Sequence, residues 1–114
     1  MSAITTHVLD LTSGRPAVGV AITLASQDKD GRWSEIARGV TDADGRVRDL
    51  LPTERPLAPG IYSLRFESAA YFDARDLPTF YPEVVITFRV DVAGASYHVP
   101  LLLSPFGYST YRGS

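Results

Sequence analysis

Hydrophobic and polar residues alternate with a period of two along several short segments of the chain. The apolar positions are Val18, Val20, Ile22 and Leu24 in the first segment, Tyr62, Leu64 and Phe66 in the second, and Val84, Ile86, Phe88, Val90 and Val92 in the third. Successive side chains of a β-strand point to opposite faces. The alternation therefore predicts strands that each have one buried face and one polar face.

Turn-forming residues separate these segments. Residues 13–16 (Ser-Gly-Arg-Pro) divide the first strand from the second, and the Asp30-Gly31 and Asp44-Gly45 pairs predict hairpin turns. We expect a loop at Pro56, Pro59 and Gly60, and a link at 93–95 to a strand through 97–99. Short strands at this spacing predict an all-β fold, a sandwich of two sheets.

Two segments depart from the simple strand pattern. Residues 69–77 contain good helix formers and end at Pro78, which predicts a short helix, with an irregular crossover loop as the alternative. Pro100 interrupts an otherwise apolar strand. Proline lacks an N–H donor and is tolerated mainly at sheet edges or bulges, so we expect the strand to bend or end its pairing near His98.

The size and composition are those of a globular protein with one modest core. The 114 residues predict a single domain over 1–114, and 45% are hydrophobic and 21% charged. Eleven basic and thirteen acidic residues give a net charge of -2, which argues against nucleic acid as a general partner. The chain has no cysteine, which excludes disulfides, thiolate metal sites and thiol catalysis.

No segment predicts insertion into a membrane. The longest apolar run, residues 99–103, is far shorter than the roughly 20 residues that a spanning helix needs. The first seven residues lack a basic region followed by an apolar stretch, so we expect no secretory signal and a cytoplasmic protein.

The acidic turns do not predict calcium sites. Residues 28–31 and 42–45 both resemble the start of a calcium-binding loop, which requires a bidentate acid at its twelfth position. That position is Gly39 in one case and Thr53 in the other. Both segments are therefore interpreted as turns.

The two histidines and the last fourteen residues are the candidates for chemistry. His7 and His98 lie in different predicted strands, and two histidines alone do not form a zinc site, so we expect no metal and no cofactor. Taken singly, each histidine is more often structural. Residues 101–114 stay rich in aromatic and apolar side chains, whereas most termini are polar. They form either a final strand or part of a site.

Five segments resemble one family over essentially the whole chain. They are Thr6-His7-Val8-Leu9-Asp10, Gly14-Arg15-Pro16-Ala17, Thr41-Asp42-Ala43-Asp44-Gly45-Arg46, residues 98–105 (His-Val-Pro-Leu-Leu-Leu-Ser-Pro) and Tyr111-Arg112-Gly113-Ser114. The family is that of the transthyretin-like 5-hydroxyisourate hydrolases. The Tyr-Arg-Gly-Ser ending is the most specific segment, because the hormone carriers of the same superfamily lack it. Those carriers also lack the residues that match His7, Arg46 and His98.

The resemblance implies a fold and an assembly. The fold would be a transthyretin-like sandwich of two four-stranded sheets with one short helix. The assembly would be a homotetramer, a dimer of dimers, whose active sites lie in a channel between dimers.

The resemblance also implies a reaction and roles for named residues. The family hydrolyses an amide-type bond of 5-hydroxyisourate to give 2-oxo-4-hydroxy-4-carboxy-5-ureidoimidazoline in urate degradation. His7 and His98 would transfer protons and activate water, with the base unassigned, and Arg46 and Tyr111 would hold the substrate. Ser114 would complete the site with its hydroxyl or its terminal carboxylate.

Two other functions are compatible with such a fold. One is a transthyretin-like carrier of a small aromatic ligand, without catalysis. The other is a structural or interaction sandwich, since Asp-Gly-Arg turns also occur in small β-domains of other proteins. Catalytic decay of 5-hydroxyisourate would separate the hydrolase from both.

Overall fold

The computed structural model describes residues 3–51 and 57–114. Within these ranges the chain forms eight strands and one short helix. The elements are β1 (Ile4–Asp10), β2 (Arg15–Pro16), β3 (Ala21–Gln27), β4 (Trp33–Val40), β5 (Gly60–Phe66), α1 (Ser68–Asp73), β6 (Val84–Val90), β7 (Tyr97–Ser104) and β8 (Gly107–Thr110). Of the loop predicted at 56–60, Pro56 lies outside the described residues and Gly60 begins β5.

The strands form two four-stranded sheets, in the orders β2-β1-β7-β8 and β4-β3-β5-β6. The predicted sandwich with one short helix is therefore confirmed. Neighbouring strands are antiparallel except for β1 and β7, which run parallel. Because β1 and β7 come from opposite ends of the chain, their pairing brings the N-terminal and C-terminal segments together.

The core lies between the sheets and contains the inward positions of the alternating strands. Among its fully buried side chains are Ile22, Leu24, Leu64, Phe66 and Val84. Burial of each large apolar side chain contributes about 1.5–3 kcal/mol. The same alternation leaves the intervening side chains on the outer faces, where they are available for chemistry.

Two of the predicted strands are shorter than their hydrophobic pattern. Val18 and Val92 are exposed, because β3 begins only at Ala21 and β6 ends at Val90. Gly19 turns the chain with a φ of 86°, and the Tyr97 hydroxyl accepts the Val92 N–H at 3.0 Å. A turn at Gly19 thus replaces ladder pairing before β3, and the Tyr97 hydroxyl replaces a ladder acceptor after β6.

The expectation that the strand bends or ends its pairing near His98 is wrong for the ladder of β7 with β1, but it holds for the ladder of β7 with β8. Strand β7 continues to Ser104, and Pro100 pairs with His7 in the parallel ladder. The ladder between β7 and β8 begins one residue later, at Leu101, and the Thr110 hydroxyl donates to the Pro100 carbonyl at 2.7 Å. The missing N–H of Pro100 therefore lies where β7 has no ladder partner in β8.

The predicted short helix is confirmed, but α1 is shorter than the predicted range 69–77. It ends at Asp73, and Asp76 then adopts a φ of 55°, which a continuing helix does not allow. Its buried side chains Tyr71 and Phe72 face the core. No helix in residues 3–51 and 57–114 is both long and apolar enough to span a membrane.

A buried hydrogen bond connects α1 to the end of β1. The Tyr71 hydroxyl donates to Oδ2 of Asp10 at 2.6 Å. Burial alone would raise the pKa of Asp10, but the hydrogen bonds from Tyr71 and Thr12 outweigh it and the net pKa is lowered. Burial and the bond to Asp10 raise the pKa of Tyr71 to about 12. The carboxylate is thus kept ionised against the base of the helix.

Candidate active site

The outer face of the β2-β1-β7-β8 sheet brings the two histidines together. Strand alternation places Thr5 and His7 of β1 on the face opposite the core, since Ile4, Thr6 and Val8 are buried. On β7 the half-buried His98 alternates with the buried Tyr97 and Val99 in the same way. Thr5 pairs directly with His98, and His7 pairs two residues further along with Pro100. The histidines are therefore diagonal neighbours.

A tight turn at 42–46 delivers Arg46 beside His7. Asp42 holds the turn, because its Oδ1 accepts the N–H groups of Asp44 at 2.9 Å and of Arg46 at 3.1 Å. Gly45 adopts a φ of 76° and its carbonyl accepts the Val8 N–H at 2.8 Å. Arg46 then forms a single antiparallel bridge with His7.

The two Asp-Gly pairs have different outcomes. Asp30-Gly31 lies in the predicted hairpin turn, between the antiparallel strands β3 and β4. Asp44-Gly45 also lies in a turn, but the residues after it make only the bridge to His7 and no second strand. The second turn serves to dock a short segment against β1.

The two arginines that follow this turn differ in their partners. Arg48 binds Oδ2 of Asp42 at 3.1 Å and Oδ2 of Asp44 at 2.9 Å, so two carboxylates neutralise it. Within the described part of the chain, Arg46 forms no ion pair with a carboxylate. The guanidinium of Arg46 is therefore the one in this turn whose charge is available to a ligand.

The C-terminal tail reaches the other histidine of this face, His98. The Gly113 N–H donates to the His98 carbonyl at 2.8 Å, which forms a second isolated bridge. One residue earlier, the Arg112 guanidinium lies over the Tyr97 ring, 4.6 Å from its centroid. Such a cation–π contact is worth about 0.5–1 kcal/mol at exposed sites and holds the tail against the sheet edge.

These elements surround a cavity of about 700 Å³. Its lining contains Thr5, Thr6, Arg46, Val47, Arg48, Asp49, Ser96, His98, Gly113 and Ser114. A cavity of this volume matches those that hold small molecules.

The structure brings most of the predicted site residues together. Arg46, His98 and Ser114 line the cavity, and His7 lies at its edge through its bridge to Arg46. Tyr111 does not line it. It lies in an adjoining hollow of about 330 Å³, which shares His98 with the cavity.

Seven lining residues were missed in the sequence, and Thr5, Gly113 and Asp49 among them show why. Thr5 could have been found, because strand alternation places it on the same face as His7. Gly113 belongs to the Tyr-Arg-Gly-Ser ending, but nothing in that motif shows what the glycine contacts. Asp49 adopts a φ of 59°, which is uncommon for a residue other than glycine, and no sequence signal predicts it.

The surroundings of His98 favour its neutral form. Burial, followed by the positive charge of Arg46 and the nearby His7, lowers the pKa of His98 below its usual 6.5. A hydrogen bond with the Thr5 backbone acts in the opposite direction. At neutral pH this imidazole is therefore able to accept a proton. No group of three or more histidine, aspartate or glutamate side chains converges as metal ligands in the ranges that the structure covers.

Comparison with known proteins places the chain in a family. Residues 4–113 match the model of the HIUase/Transthyretin family. The chain belongs to this family. A 5-hydroxyisourate hydrolase of Salmonella dublin is 47% identical over 108 residues, which cover 95% of this chain and 78% of the relative.

Solved structures of both branches of the family share the fold. Sea bream transthyretin in complex with thyroxine has a TM-score of 0.92 at 32% identity, with 98% of this chain and 95% of that chain covered. The 5-hydroxyisourate hydrolase of Klebsiella pneumoniae has a TM-score of 0.83 at 34% identity, with coverage of 97% and 98%. The fold is thus common to a carrier and an enzyme, and the site residues must decide between them.

The turn that delivers Arg46 gives a first test. In Gly45→Ala the added Cβ would lie 2.4 Å from the Val8 carbonyl oxygen, and the φ of 76° is unfavourable for alanine. We expect the substitution to lower the free energy of unfolding by more than about 2 kcal/mol, measured by urea denaturation.

Gly14→Ala is the matched control. Gly14 has a similar φ of 73°, but an added Cβ would meet nothing within 4 Å. In this variant the free energy of unfolding should fall by only about 1 kcal/mol, the cost of the unfavourable backbone φ for alanine. Equal losses in the two variants would show that the contact between Gly45 and β1 does not constrain the turn.

Proposed function

We propose that the chain hydrolyses 5-hydroxyisourate, as its relatives' names state for them. One observation carries the proposal: His98, an arginine without a carboxylate partner and the Gly113-Ser114 tail meet at one cavity, with His7 at its edge. In the family resemblance these residues and this ending distinguish hydrolases from carriers. The cavity volume is ample for a bicyclic purine-derived substrate.

The proposed reaction is the addition of water to the acyl carbon of a cyclic amide-type bond. The water oxygen bonds to that carbon, the carbon–nitrogen bond breaks, and the ring opens to give an N–H and a carboxylic acid, which releases its remaining proton to solvent to become a carboxylate. His98 is the general base in this proposal, because its lowered pKa keeps the ring neutral and able to take the water proton at pH 7. The proton then passes to the leaving nitrogen.

Arg46 has the electrostatic role. Its guanidinium presents a planar fork of donors that suits the oxygen and nitrogen edges of the substrate. It would also stabilise the negative charge that develops on the acyl oxygen, an effect worth about 3–4 kcal/mol where such donors have been removed. Arg48 is unsuited to this role because Asp42 and Asp44 already neutralise it.

The remaining residues complete the proposed site. His7, two residues beyond Thr5 on the same face, would orient the water or the leaving nitrogen. The Ser114 hydroxyl would bind the substrate beside His98. Tyr111, which is largely exposed in the adjoining hollow, would contact the substrate at the edge of the cavity. The product would be 2-oxo-4-hydroxy-4-carboxy-5-ureidoimidazoline, and neither metal nor cofactor takes part in the proposed steps.

The proposed assembly is a homotetramer built as a dimer of dimers. The site lies on an outer sheet face rather than inside the sandwich, and Leu9 and Leu102 continue that face as half-buried apolar side chains. A second dimer placed on this face would close the site into a channel and exclude bulk water. Such exclusion strengthens the electrostatic effect of Arg46.

A small-ligand carrier is the second candidate. It is favoured by the close similarity to sea bream transthyretin, which was solved with thyroxine. In a carrier the same cavity would bind an aromatic ligand and leave it unchanged. The paired histidine and arginine groups have no evident use there, so we give the hydrolase precedence.

The assay for the proposed function is the decay of 5-hydroxyisourate absorbance, with the substrate generated in place by urate oxidase. Catalytic amounts of the chain should accelerate this decay above the spontaneous rate. The double variant His7→Asn, His98→Asn should lose turnover by about 10²–10⁴-fold, because general acid–base catalysis is worth that much. Circular dichroism should show an intact fold. Near-normal turnover in the double variant would refute the catalytic role of the histidines.

The pH dependence follows from the lowered pKa of His98. A base works only when neutral, so turnover should fall as the pH drops, with a midpoint below 6.5. Besides His7, the charged or titratable groups that line the cavity or the adjoining hollow with His98 are Arg46, Arg48, Asp49, the Ser114 carboxylate, Arg89, Tyr97, Tyr111 and Arg112. Since Arg46 lowers the pKa, Arg46→Gln should move the midpoint towards 6.5.

NMR titration of the His98 ring measures this midpoint without any turnover. A midpoint at or above 6.5 in the native chain, or one that Arg46→Gln leaves unmoved, would contradict the proposed electrostatics of the site.

A further inference from the structure

Thr5 holds one nitrogen of the His98 ring. Its Oγ1 lies 2.8 Å from His98 Nδ1, within hydrogen-bond distance. The two residues face each other directly in the parallel ladder of β1 and β7, so backbone pairing on both strands fixes the distance. The bond is partly buried, which limits competition from water. The hydroxyl is therefore well placed to set the orientation of the ring.

Gly113 lies against the opposite side of the same ring. A Cβ built at Gly113 would lie 2.4 Å from His98 Cδ2, 3.1 Å from Cγ and 3.3 Å from Cβ. The nearest of these distances is far below van der Waals contact. Only glycine allows the tail to pass so close to the ring while its N–H donates to the His98 carbonyl.

The two contacts leave one nitrogen for chemistry. The Nδ1 side faces Thr5 and the Cδ2 side faces Gly113, while Nε2 has no hydrogen-bond partner among the described residues. We propose that Thr5 and Gly113 are positioning residues that hold the His98 ring between them and present Nε2 to the cavity. This inference rests on the proposed function, in which His98 accepts the proton of water.

The proposal places the proton of the neutral ring on Nδ1. With the Nδ1–H donating to Thr5 Oγ1, the neutral ring keeps its lone pair on Nε2. The water proton then bonds to Nε2, and the imidazolium still donates from Nδ1 to Thr5, so this contact need not rearrange during the step.

The test compares three threonine variants. Thr5→Val removes the hydroxyl at nearly constant volume and should lower kcat about tenfold or more, with KM within about twofold, because orientation of the base matters in the transition state. Thr5→Ser keeps the hydroxyl and should restore most of kcat. Thr23→Val, in β3 of the other sheet, is the matched control and should behave as the native chain.

A spectroscopic readout separates positioning from mere stability. In the native chain, ¹⁵N shifts of the His98 ring should show the tautomer protonated at Nδ1. In Thr5→Val they should show a mixture of tautomers, and the acid limb of the pH profile should shift. A loss of stability alone would leave the ring shifts of the folded protein unchanged.

Gly113→Ala tests the proposal independently of the Thr5 variants, since the tail lies outside the core. It should lower kcat and disturb the same ring shifts, even if Thr5→Val fails to fold. Native kcat and native ring shifts in either folded variant would overturn the positioning role of that residue, as would an Nε2–H tautomer in the native chain. Absence of any turnover in the native chain would defeat the proposed function instead, while the ring shifts would still test the inference.

Discussion

Parallel pairing of β1 with β7 is the constraint on which the site depends. Seven residue pairs, from Ile4 and Tyr97 to Asp10 and Leu103, fix the register between two segments more than ninety residues apart. Because strand side chains alternate between faces, a slip of one residue would turn one strand's histidine into the core. The buried alternate positions of both strands oppose such a slip. The energy that stabilises the core therefore also fixes the distance from Thr5 to His98.

Charge distribution then distinguishes two arginines that are equivalent in the sequence. Arg48 pairs with the carboxylates of Asp42 and Asp44, of which Asp42 also holds the turn, whereas Arg46 lies near His98 with no carboxylate partner among the described residues. The positive charge of Arg46 at this place acts both on the His98 ring and on a bound substrate. It keeps the imidazole neutral and ready to accept a proton, and it favours negative charge on a bound substrate. In the proposed mechanism, a single turn thus prepares both the base and the electrostatic partner.

The fold was predictable from the sequence to the extent that it follows from local patterns. Alternation and Asp-Gly turns indicate a two-sheet sandwich. At Val18 and Val92, however, the hydrophobic pattern extends beyond the ladders. A turn follows Val18, and the Tyr97 hydroxyl accepts the Val92 N–H. The interpretation of Pro100 held only on the β8 side, where the ladder stops at Leu101, because tertiary pairing decides which neighbouring strand reaches the proline. The contact of Thr5 with His98 was equally out of reach, since no spacing rule joins residues 93 positions apart.

Similarity of fold alone cannot distinguish an enzyme from a ligand-binding protein, because this sandwich matches a transthyretin as well as a hydrolase. In the proposed function, the difference lies in how the tail completes the cavity at His98. The most direct measurement is 5-hydroxyisourate decay with a chain that lacks residues 111–114, compared with the full chain at equal concentration. The account predicts that the shortened chain keeps its circular dichroism spectrum and loses turnover by about 100-fold or more. Equal turnover of the two folded proteins would contradict it.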